Sequence, residues 1–272
     1  MFYGAVTVYM ESRYCCMKTV ILCGGRGTRM REETEYRPKP LVLIGERPIL
    51  WHIMKIYSHY GHKDFVLCAG YKGDMIKRYF MEMCWRNNDF TAVTGPNPAI
   101  EYHTQSSENW RVTIVDTGLE SQTGRRLKLV ERYIEDDTFM LTYGDGLSDV
   151  NIPALIESHE KSGRIATITG VNPISPFGVL QMDGDIVTKF KEKPLLEDTI
   201  NGGFMVLNRR MFDFLPDKNC PLEEEPLHNL ALAGEISVYQ HKGFWAAIDT
   251  GKDIEKMNGL WNAGEAPWKL WE

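Results

Sequence analysis

The first residues that could do chemistry are glycines and cations that follow a short apolar run at residues 19–23. They are Gly24, Gly25, Gly27, Arg29, Arg37 and Lys39. Glycines let backbone N–H groups approach a phosphate closely and form an anion-binding nest. A Walker A loop would end in Gly-Lys-Ser/Thr, which is absent, and a dinucleotide fingerprint needs a glycine where Met30 stands. The pattern therefore indicates a phosphate site of another kind, with Lys39 held between two prolines.

Two aspartates each follow a predicted strand. Asp145 stands between two glycines, and Asp249 comes directly after the apolar run at residues 244–248. Mg²⁺ prefers one or two carboxylates together with phosphate oxygens and water, so either aspartate could hold that ion. The alternatives are an ordinary turn for Asp145 and a helix N-cap for Asp249. We expect Asp149 to cap the helix that follows it.

A third candidate group lies further along the chain. Glu192 and Lys193 end a predicted strand and precede Asn201-Gly202-Gly203. Charged pairs of this kind usually lie on a solvated face. In a binding site, however, the lysine could hold a phosphate and the carboxylate could accept hydrogen bonds from hydroxyl groups.

Composition limits the classes of protein that the chain can belong to. The 272 residues carry a formal net charge of −6, which disfavours a general nucleic-acid binder. The six cysteines contain no C-x-x-C pair, as expected for reduced thiols in a cytoplasmic protein. No apolar run is long enough to cross a bilayer, so we expect no membrane partner.

The elements that must position these residues alternate along the chain. Strands are predicted at residues 19–23, 65–69, 112–115, 138–142, 165–169, 179–181, 186–190, 204–207 and 244–248. Helices are predicted at residues 49–60, 74–84, 125–133, 152–161, 222–233 and 253–261. This order predicts an α/β fold, a Rossmann-like mixed sheet of mainly parallel strands flanked by helices. The strands within 179–207 predict a smaller, partly antiparallel lobe. Because this lobe carries Glu192 and Lys193, which suit hydroxyl groups and a phosphate, we expect it to bind a sugar phosphate.

The domain organisation follows from the same order of elements. Residues 1–16 precede the first convincing strand, and we expect them to be a non-essential extension. Residues 17–272 form one domain without a low-complexity linker. Its nucleotide half covers about residues 17–150 and its sugar half residues 151–272.

These motifs resemble those of a known family. The segment Leu22-Cys23-Gly24-Gly25-Arg26-Gly27-Thr28-Arg29, with Arg37-Pro38-Lys39-Pro40 after it, resembles the signature of the sugar-1-phosphate nucleotidyltransferases. Further similar segments are Thr142-Tyr143-Gly144-Asp145-Gly146, Ile200-Asn201-Gly202-Gly203-Phe204 and the tail at residues 266–272. The resemblance covers residues 17–272.

The resemblance implies a role for each candidate residue. Catalytic residues would be Arg29, Lys39 and Lys193. The nucleotide would contact Leu22, Gly24, Gly25, Gly27, Thr28, Arg29, Lys39, Thr123, Gly124 and Arg126. The sugar phosphate would contact Tyr143, Gly178, Glu192, Lys193, Asn201 and Gly202. The cofactor would be Mg²⁺ on Asp145 and Asp249.

The resemblance also implies substrates and partners. It is strongest to the branch that transfers CMP from CTP to glucose 1-phosphate and releases pyrophosphate. The same chemistry with UTP, dTTP or another sugar 1-phosphate remains an alternative, as does a non-catalytic sugar-nucleotide sensor of the same fold. The family resemblance further implies a cytoplasmic homo-oligomer whose partners are small molecules and not nucleic acid.

Overall fold

The structure of the protein, a computed structural model, describes residues 16–104, 108–175 and 177–272. Its strands in these residues are β1 Thr19–Leu22, β2 Leu43–Ile44, β3 Arg47–Pro48, β4 Asp64–Ala69, β5 Phe90–Val93, β6 Ala99–Tyr102, β7 Arg111–Asp116, β8 Thr138–Tyr143, β9 Gly146–Ser148, β10 Ala166–Val171, β11 Val179–Asp183, β12 Ile186–Lys191, β13 Ile200–Asn208, β14 Ile236–Gln240 and β15 Trp245–Ala247. The α-helices there are α1 Arg31–Thr34, α2 Ile49–His59, α3 Gly73–Asn87, α4 Thr123–Leu129, α5 Ile152–Ser162, α6 Glu225–Leu232 and α7 Gly251–Asn262. Of the expected extension at residues 1–16, residues 1–15 lie outside the described residues, so its role stays a prediction.

A seven-stranded sheet forms the centre of the fold, in the order β14-β10-β13-β8-β1-β4-β7. Strands β8, β1, β4 and β7 are parallel to one another, whereas β13 is antiparallel to both of its neighbours. The predicted mixed, mainly parallel sheet is therefore confirmed. Because β8 and β1 are adjacent and parallel, Leu22 and Tyr143 lie side by side where the two strands end.

Hydrophobic clusters cover both faces of this sheet. Successive residues of β1 alternate between them: Val20 belongs to one cluster and Ile21 to the other. Helix α2 packs on the Ile21 face through residues such as Ile53, and α4 packs on the Val20 face through Leu127. Burial on both faces explains why the sequence of β1 is apolar without alternation.

Most predicted elements are present, with shifted ends. The helix predicted at residues 125–133 is α4, Thr123–Leu129, followed by a 3₁₀ helix at Glu131–Tyr133. The helix predicted at 222–233 begins later, as α6 at Glu225. The run at 204–207 belongs to β13 and lies in the central sheet between β8 and β10, not in a separate lobe. Only β11 and β12, of the three strands expected in that lobe, form a separate antiparallel hairpin.

One expected cap is wrong. Asn151 caps α5, because its side-chain oxygen accepts from the backbone N–H of Ala154 at 3.0 Å. Asp149 instead lies 2.9 Å from Nε2 of His241. Asn and Asp are both common N-cap residues, so the position at which the helix starts decides which of the two caps it.

Candidate active site

The glycine-rich loop after β1 is shaped by close contacts. Gly27 has φ +61°, a conformation that L side chains rarely adopt, and a Cβ there would lie 2.8 Å from Cγ2 of Thr34. A Cβ on Gly24 would overlap the guanidinium of Arg126. Thr34 holds the loop from the other side by donating to the carbonyl of Gly27 at 3.1 Å. Gly25, in contrast, has open space beside it.

Lys39 joins this loop to both aspartates. Its ammonium lies 2.6 Å from Oδ2 of Asp145 and 2.6 Å from Oδ1 of Asp249. Arg29 contacts the other oxygen of Asp249 at 2.8 Å. Lys39 is only 9% exposed, so these opposite charges interact with reduced screening by water.

A small two-stranded antiparallel sheet brings the two aspartates together. Strand β9 begins directly after Asp145, β15 ends shortly before Asp249, and the two strands pair with Gly146 opposite Ala247. The backbone N–H of Ile248 also donates to the carbonyl of Asp145 at 3.0 Å. The sequence predicted the run at 244–248 as a strand, and its pairing with β9 explains how residues 104 positions apart meet.

Asp249 is free to face the loop because another residue caps the following helix. Thr250 caps α7 by accepting from the backbone N–H of Asp253 at 3.3 Å, and Asp253 completes the capping box. Asp253 Oδ2 also accepts from the backbone N–H of Asp249 at 3.1 Å, which fixes the backbone there. The N-cap interpretation of Asp249 is therefore wrong.

Arg126 connects the glycine-rich loop with the segment that follows β7 through hydrogen bonds. Its guanidinium donates to Thr117 Oγ1 at 2.6 Å, to the carbonyl of Gly118 at 2.8 Å and to that of Gly24 at 2.9 Å. Burial lowers the pKa of Arg126 below its usual value, and the neighbouring thiols of Cys68 and Cys23 oppose that shift. Because these bonds occupy the fork of Arg126, this side chain positions the glycine loop.

These groups surround one open cavity of about 450 Å³. Twelve of the predicted site residues line it: Leu22, Gly24, Gly25, Gly27, Thr28, Arg29, Lys39, Thr123, Arg126, Tyr143, Asp145 and Asp249. Gly124 is buried behind the wall, where its backbone N–H donates to the carbonyl of Cys220 at 3.1 Å. A cation, a glycine nest and two carboxylates in one cavity suit a triphosphate with a divalent cation.

The other residues that are predicted to contact the sugar phosphate do not line this cavity. Glu192 and Lys193 are exposed at the end of the β11–β12 hairpin, with their charged groups 3.9 Å apart. Gly178 directly precedes β11 of the same hairpin, and a Cβ there would lie 2.6 Å from Cζ of Phe190. Lys193 has φ +42°, which is uncommon for a residue with a side chain. The roles of these three residues stay predictions.

Asn201 and Gly202 form hydrogen bonds with two aromatic residues, of which Tyr143 lines the cavity. Asn201 donates to the hydroxyl of Tyr143 at 3.4 Å, and the carbonyl of Gly202 accepts from Trp245 at 2.7 Å. Burial raises the pKa of Tyr143 well above its usual value, and the nearby charge of Glu223 raises it further. Tyr143 therefore remains a phenol that donates a hydrogen bond.

The sequence did not assign several residues that line the cavity. They are Cys23, Met30, Pro40, Ser121, Gln122, Gly144, Pro221 and Glu223. Cys23, Met30, Pro40 and Gly144 are close neighbours of predicted residues, so proximity in the chain could have indicated them. Nothing in the sequence around Glu223 indicated a place beside residues 80 and 100 positions earlier.

The fold and this cavity define the class of protein, and comparison with known proteins agrees. The Nucleotidyl transferase family matches residues 18–266, and the chain belongs to that family. It is similar to the probable glucose-1-phosphate cytidylyltransferase of Bacillus subtilis, with 47% identity over 94% of this chain and 100% of that protein. It is equally similar to the glucose-1-phosphate cytidylyltransferase of Salmonella typhi, with 48% identity over the same shares.

Solved structures share the fold at lower sequence identity. HddC from Yersinia pseudotuberculosis has a TM-score of 0.66 and 23% identity over 90% of this chain and 99% of that one. An apo UDP-glucose pyrophosphorylase has a TM-score of 0.64 and 17% identity over 92% and 99% of the two chains. In the residues that the structure describes, no helix is long and apolar enough to cross a membrane.

Proposed function

We propose that the protein transfers CMP from CTP to α-D-glucose 1-phosphate, giving CDP-glucose and pyrophosphate. The observation that carries this proposal is the convergence of the glycine loop, Lys39, Asp145 and Asp249 in one cavity. The choice of CTP and glucose 1-phosphate rests on the two bacterial cytidylyltransferases that match the whole domain. Nucleoside triphosphate and sugar phosphate are small anions, and Arg29 and Lys39 in the lining of the cavity can bind such anions.

The reaction is a displacement at the α-phosphorus of the triphosphate. A phosphate oxygen of the sugar 1-phosphate forms the new P–O bond, and the bond to the β-phosphate breaks with release of pyrophosphate. Because the nucleophile is already anionic, no general base is needed. The protein then acts by positioning and by neutralising charge.

The cationic residues have three different tasks in this scheme. Lys39 and Arg29 offset the charge that develops on the triphosphate and the leaving group. Lys193 holds the phosphate of the sugar, which requires the end of the β11–β12 hairpin to approach the cavity. Arg126 keeps the glycine loop in shape for the phosphates.

Members of this family generally use a divalent metal, and we propose Mg²⁺ for this protein. Asp145 and Asp249 fit that ion, because both carboxylates already converge on a single cationic group, the ammonium of Lys39. The described residues contain no cluster of three or more side chains that could ligate a metal. Two carboxylates with phosphate oxygens and water are the set that Mg²⁺ prefers. When bound, the ion neutralises and orients phosphate oxygens.

We propose that residues 17–272 act as one domain, because the central sheet continues from the nucleotide half into the sugar half. We propose a cytoplasmic homo-oligomer, with substrates and product as its small-molecule partners.

Pyrophosphate release is the test of the proposed reaction. The protein is given glucose 1-phosphate and Mg²⁺ with CTP, UTP, dTTP or ATP in turn. We expect release with CTP to be at least tenfold faster than with the others. Faster release with another triphosphate would overturn the choice of CTP, and nucleotide binding without release from any pair would favour the sensor.

A further inference from the structure

A hydrogen-bonded chain crosses one side of the cavity and includes a residue with no assigned role. Oε2 of Glu223 accepts from the hydroxyl of Thr123 at 2.6 Å, and Oε1 accepts from the hydroxyl of Tyr143. Tyr143 in turn accepts from Asn201. The carboxylate thus connects Thr123 at the start of α4, which is predicted to contact the nucleotide, with Tyr143 of β8 and Asn201 of β13, which are predicted to contact the sugar phosphate.

The loop that carries Glu223 does not need this carboxylate for its anchorage. The hydroxyl of Thr123 accepts from the backbone N–H of Leu222 at 2.7 Å. The backbone N–H groups of Gly124 and Arg125 both donate to the carbonyl of Cys220, at 3.1 and 3.3 Å. These bonds hold the loop against the start of α4 without the Glu223 side chain, which is exposed and lines the cavity.

The chemistry of the carboxylate limits the ligand group that it can bind. Each oxygen has room for at least two hydrogen bonds and accepts one here, so both can accept a further donor. An ionised carboxylate only accepts, and it repels the oxygens of phosphates. Hydroxyl groups of a sugar ring are donors of the required kind.

The neighbours of Glu223 favour the hexose over the base. Thr123, its neighbour on the nucleotide side, already donates its hydroxyl proton to Glu223 in a hydrogen bond. On the other side lie Tyr143, the last residue of β8, and Asn201, the second residue of β13, both of which are predicted to contact the sugar phosphate. A hydroxyl next to Tyr143 can donate to Glu223 while it also contacts the phenol.

We propose that Glu223 is a specificity-determining residue that accepts a hydrogen bond from a hydroxyl of the hexose ring. This inference rests on the proposed function and names the group that recognises the sugar. The ligand class is a hexose 1-phosphate with a free hydroxyl facing the Tyr143 side of the cavity. A hydrogen bond to a charged group contributes about 1.5–3 kcal/mol, which corresponds to roughly 10–150-fold in kcat/KM.

The kinetic test combines a variant with altered substrates. Wild type and Glu223→Ala are compared with glucose 1-phosphate and with its 2-, 3-, 4- and 6-deoxy analogues. We expect one analogue to lower wild-type kcat/KM by at least about tenfold. Glu223→Ala should lose a similar factor with glucose 1-phosphate and lose little more with that analogue, while its KM for CTP stays within about twofold.

A binding test does not depend on turnover. Calorimetry with CDP and with CDP-glucose separates the contribution of the hexose from that of the nucleotide. Glu223→Ala should weaken binding of CDP-glucose at least about tenfold and leave binding of CDP unchanged. Glu224→Gln, which changes an exposed neighbour outside the cavity wall, should leave both affinities unchanged.

Two outcomes would overturn the role of Glu223. An equal loss with glucose 1-phosphate and with every deoxy analogue would mean that the residue only positions Tyr143. Weaker binding of CDP by Glu223→Ala would place its contact on the nucleotide. Absence of pyrophosphate release by the wild type would instead overturn the proposed function, and the calorimetric comparison would still decide the role of Glu223.

Discussion

The ammonium of Lys39 lies 2.6 Å from Oδ1 of Asp249, although 210 residues separate them in the chain. The same ammonium is equally close to Asp145, so one lysine neutralises two carboxylates. Asp145 and Asp249 would hold a divalent cation, which would offset their charge in place of Lys39. The ammonium of Lys39 would then be available to the phosphates, where its charge assists the reaction.

Replacing Lys39 tests whether its charge acts in the transition state. Lys39→Met should lower kcat by about 100-fold or more, with a smaller change in KM for CTP, because that charge matters most as the leaving group departs. The measurement is steady-state pyrophosphate release. Lys252→Met, an exposed lysine of α7, is the matched control and should behave as wild type. A raised KM with unchanged kcat would contradict the role.

Asp145→Asn tests the proposed Mg²⁺ site by two independent readouts. An amide is neutral and a weaker ligand for Mg²⁺, so pyrophosphate release should fall at least about 100-fold at saturating Mg²⁺. The rise of Tm that Mg²⁺ produces in the wild type should also disappear, because a bound ion stabilises the folded state. Asp185→Asn, in an exposed turn, should keep both effects. Wild-type turnover by Asp145→Asn would exclude this ligand.

Arg126→Lys tests whether the glycine loop depends on the guanidinium fork. A lysine has three donors without the fixed geometry that reaches Thr117 and Gly24 together. We expect a stability loss of about 1–3 kcal/mol in urea unfolding and a higher KM for CTP. Arg125→Lys, the next residue, changes a guanidinium that faces the exposed Asp217 and should change neither value. An unchanged KM in Arg126→Lys would show that the loop keeps its shape without this support.

The parts of the site that the sequence predicted depend on local pattern. The loop at Gly24–Gly27 follows an apolar strand, and Asp145 and Asp249 each follow another. Glycine beside a cation, or an aspartate directly after a strand, is visible within ten residues of sequence. Because parallel strands end at the same edge of a sheet, such residues meet in the fold.

The parts that the sequence did not predict depend on pairing between distant segments. Strand β14 has an ordinary mixed sequence, and its place at the sheet edge comes from its parallel register with β10. The short β9 is a strand only because β15 pairs with it. Glu223 lacks any local signal, since its partners are Tyr143 and Thr123.

Trp268 tests how strongly the aromatic tail supports the fold. Its indole is fully buried and packs against Phe244 and Trp261, so this residue of the tail packs on its own domain. Trp268→Ala should lower the free energy of unfolding by roughly 3–5 kcal/mol, because the cavity cannot fully collapse. Urea unfolding measures the loss. Trp85→Ala, at a residue 44% exposed, should cost much less, and equal losses would contradict the argument.

His52 makes the stability of this tail depend on pH. Its Nε2 donates to the carbonyl of Ile44 at 3.0 Å, and its Nδ1 accepts from Trp268 at 3.4 Å, so the buried ring is neutral. Burial lowers the pKa of His52 from 6.5 to about 4. As the pH falls below 6.5, the unfolded chain takes up the proton first. The contribution of His52 is therefore fully present above pH 6.5 and is lost as the pH falls toward 4.

Unfolding at two pH values measures that contribution. Between pH 7.5 and pH 5.0, His52 should account for a loss of about 2 kcal/mol in the free energy of unfolding. His52→Gln has no proton to gain in this range, so its loss should be smaller than that of wild type by this amount. His62 and His159 also have pKa values lowered to about 4 by burial, so some pH dependence should persist in that variant. His228→Gln, at an exposed position of α6, should match wild type at both pH values. An identical loss in wild type and His52→Gln would mean that the pKa of His52 is not lowered in the folded protein.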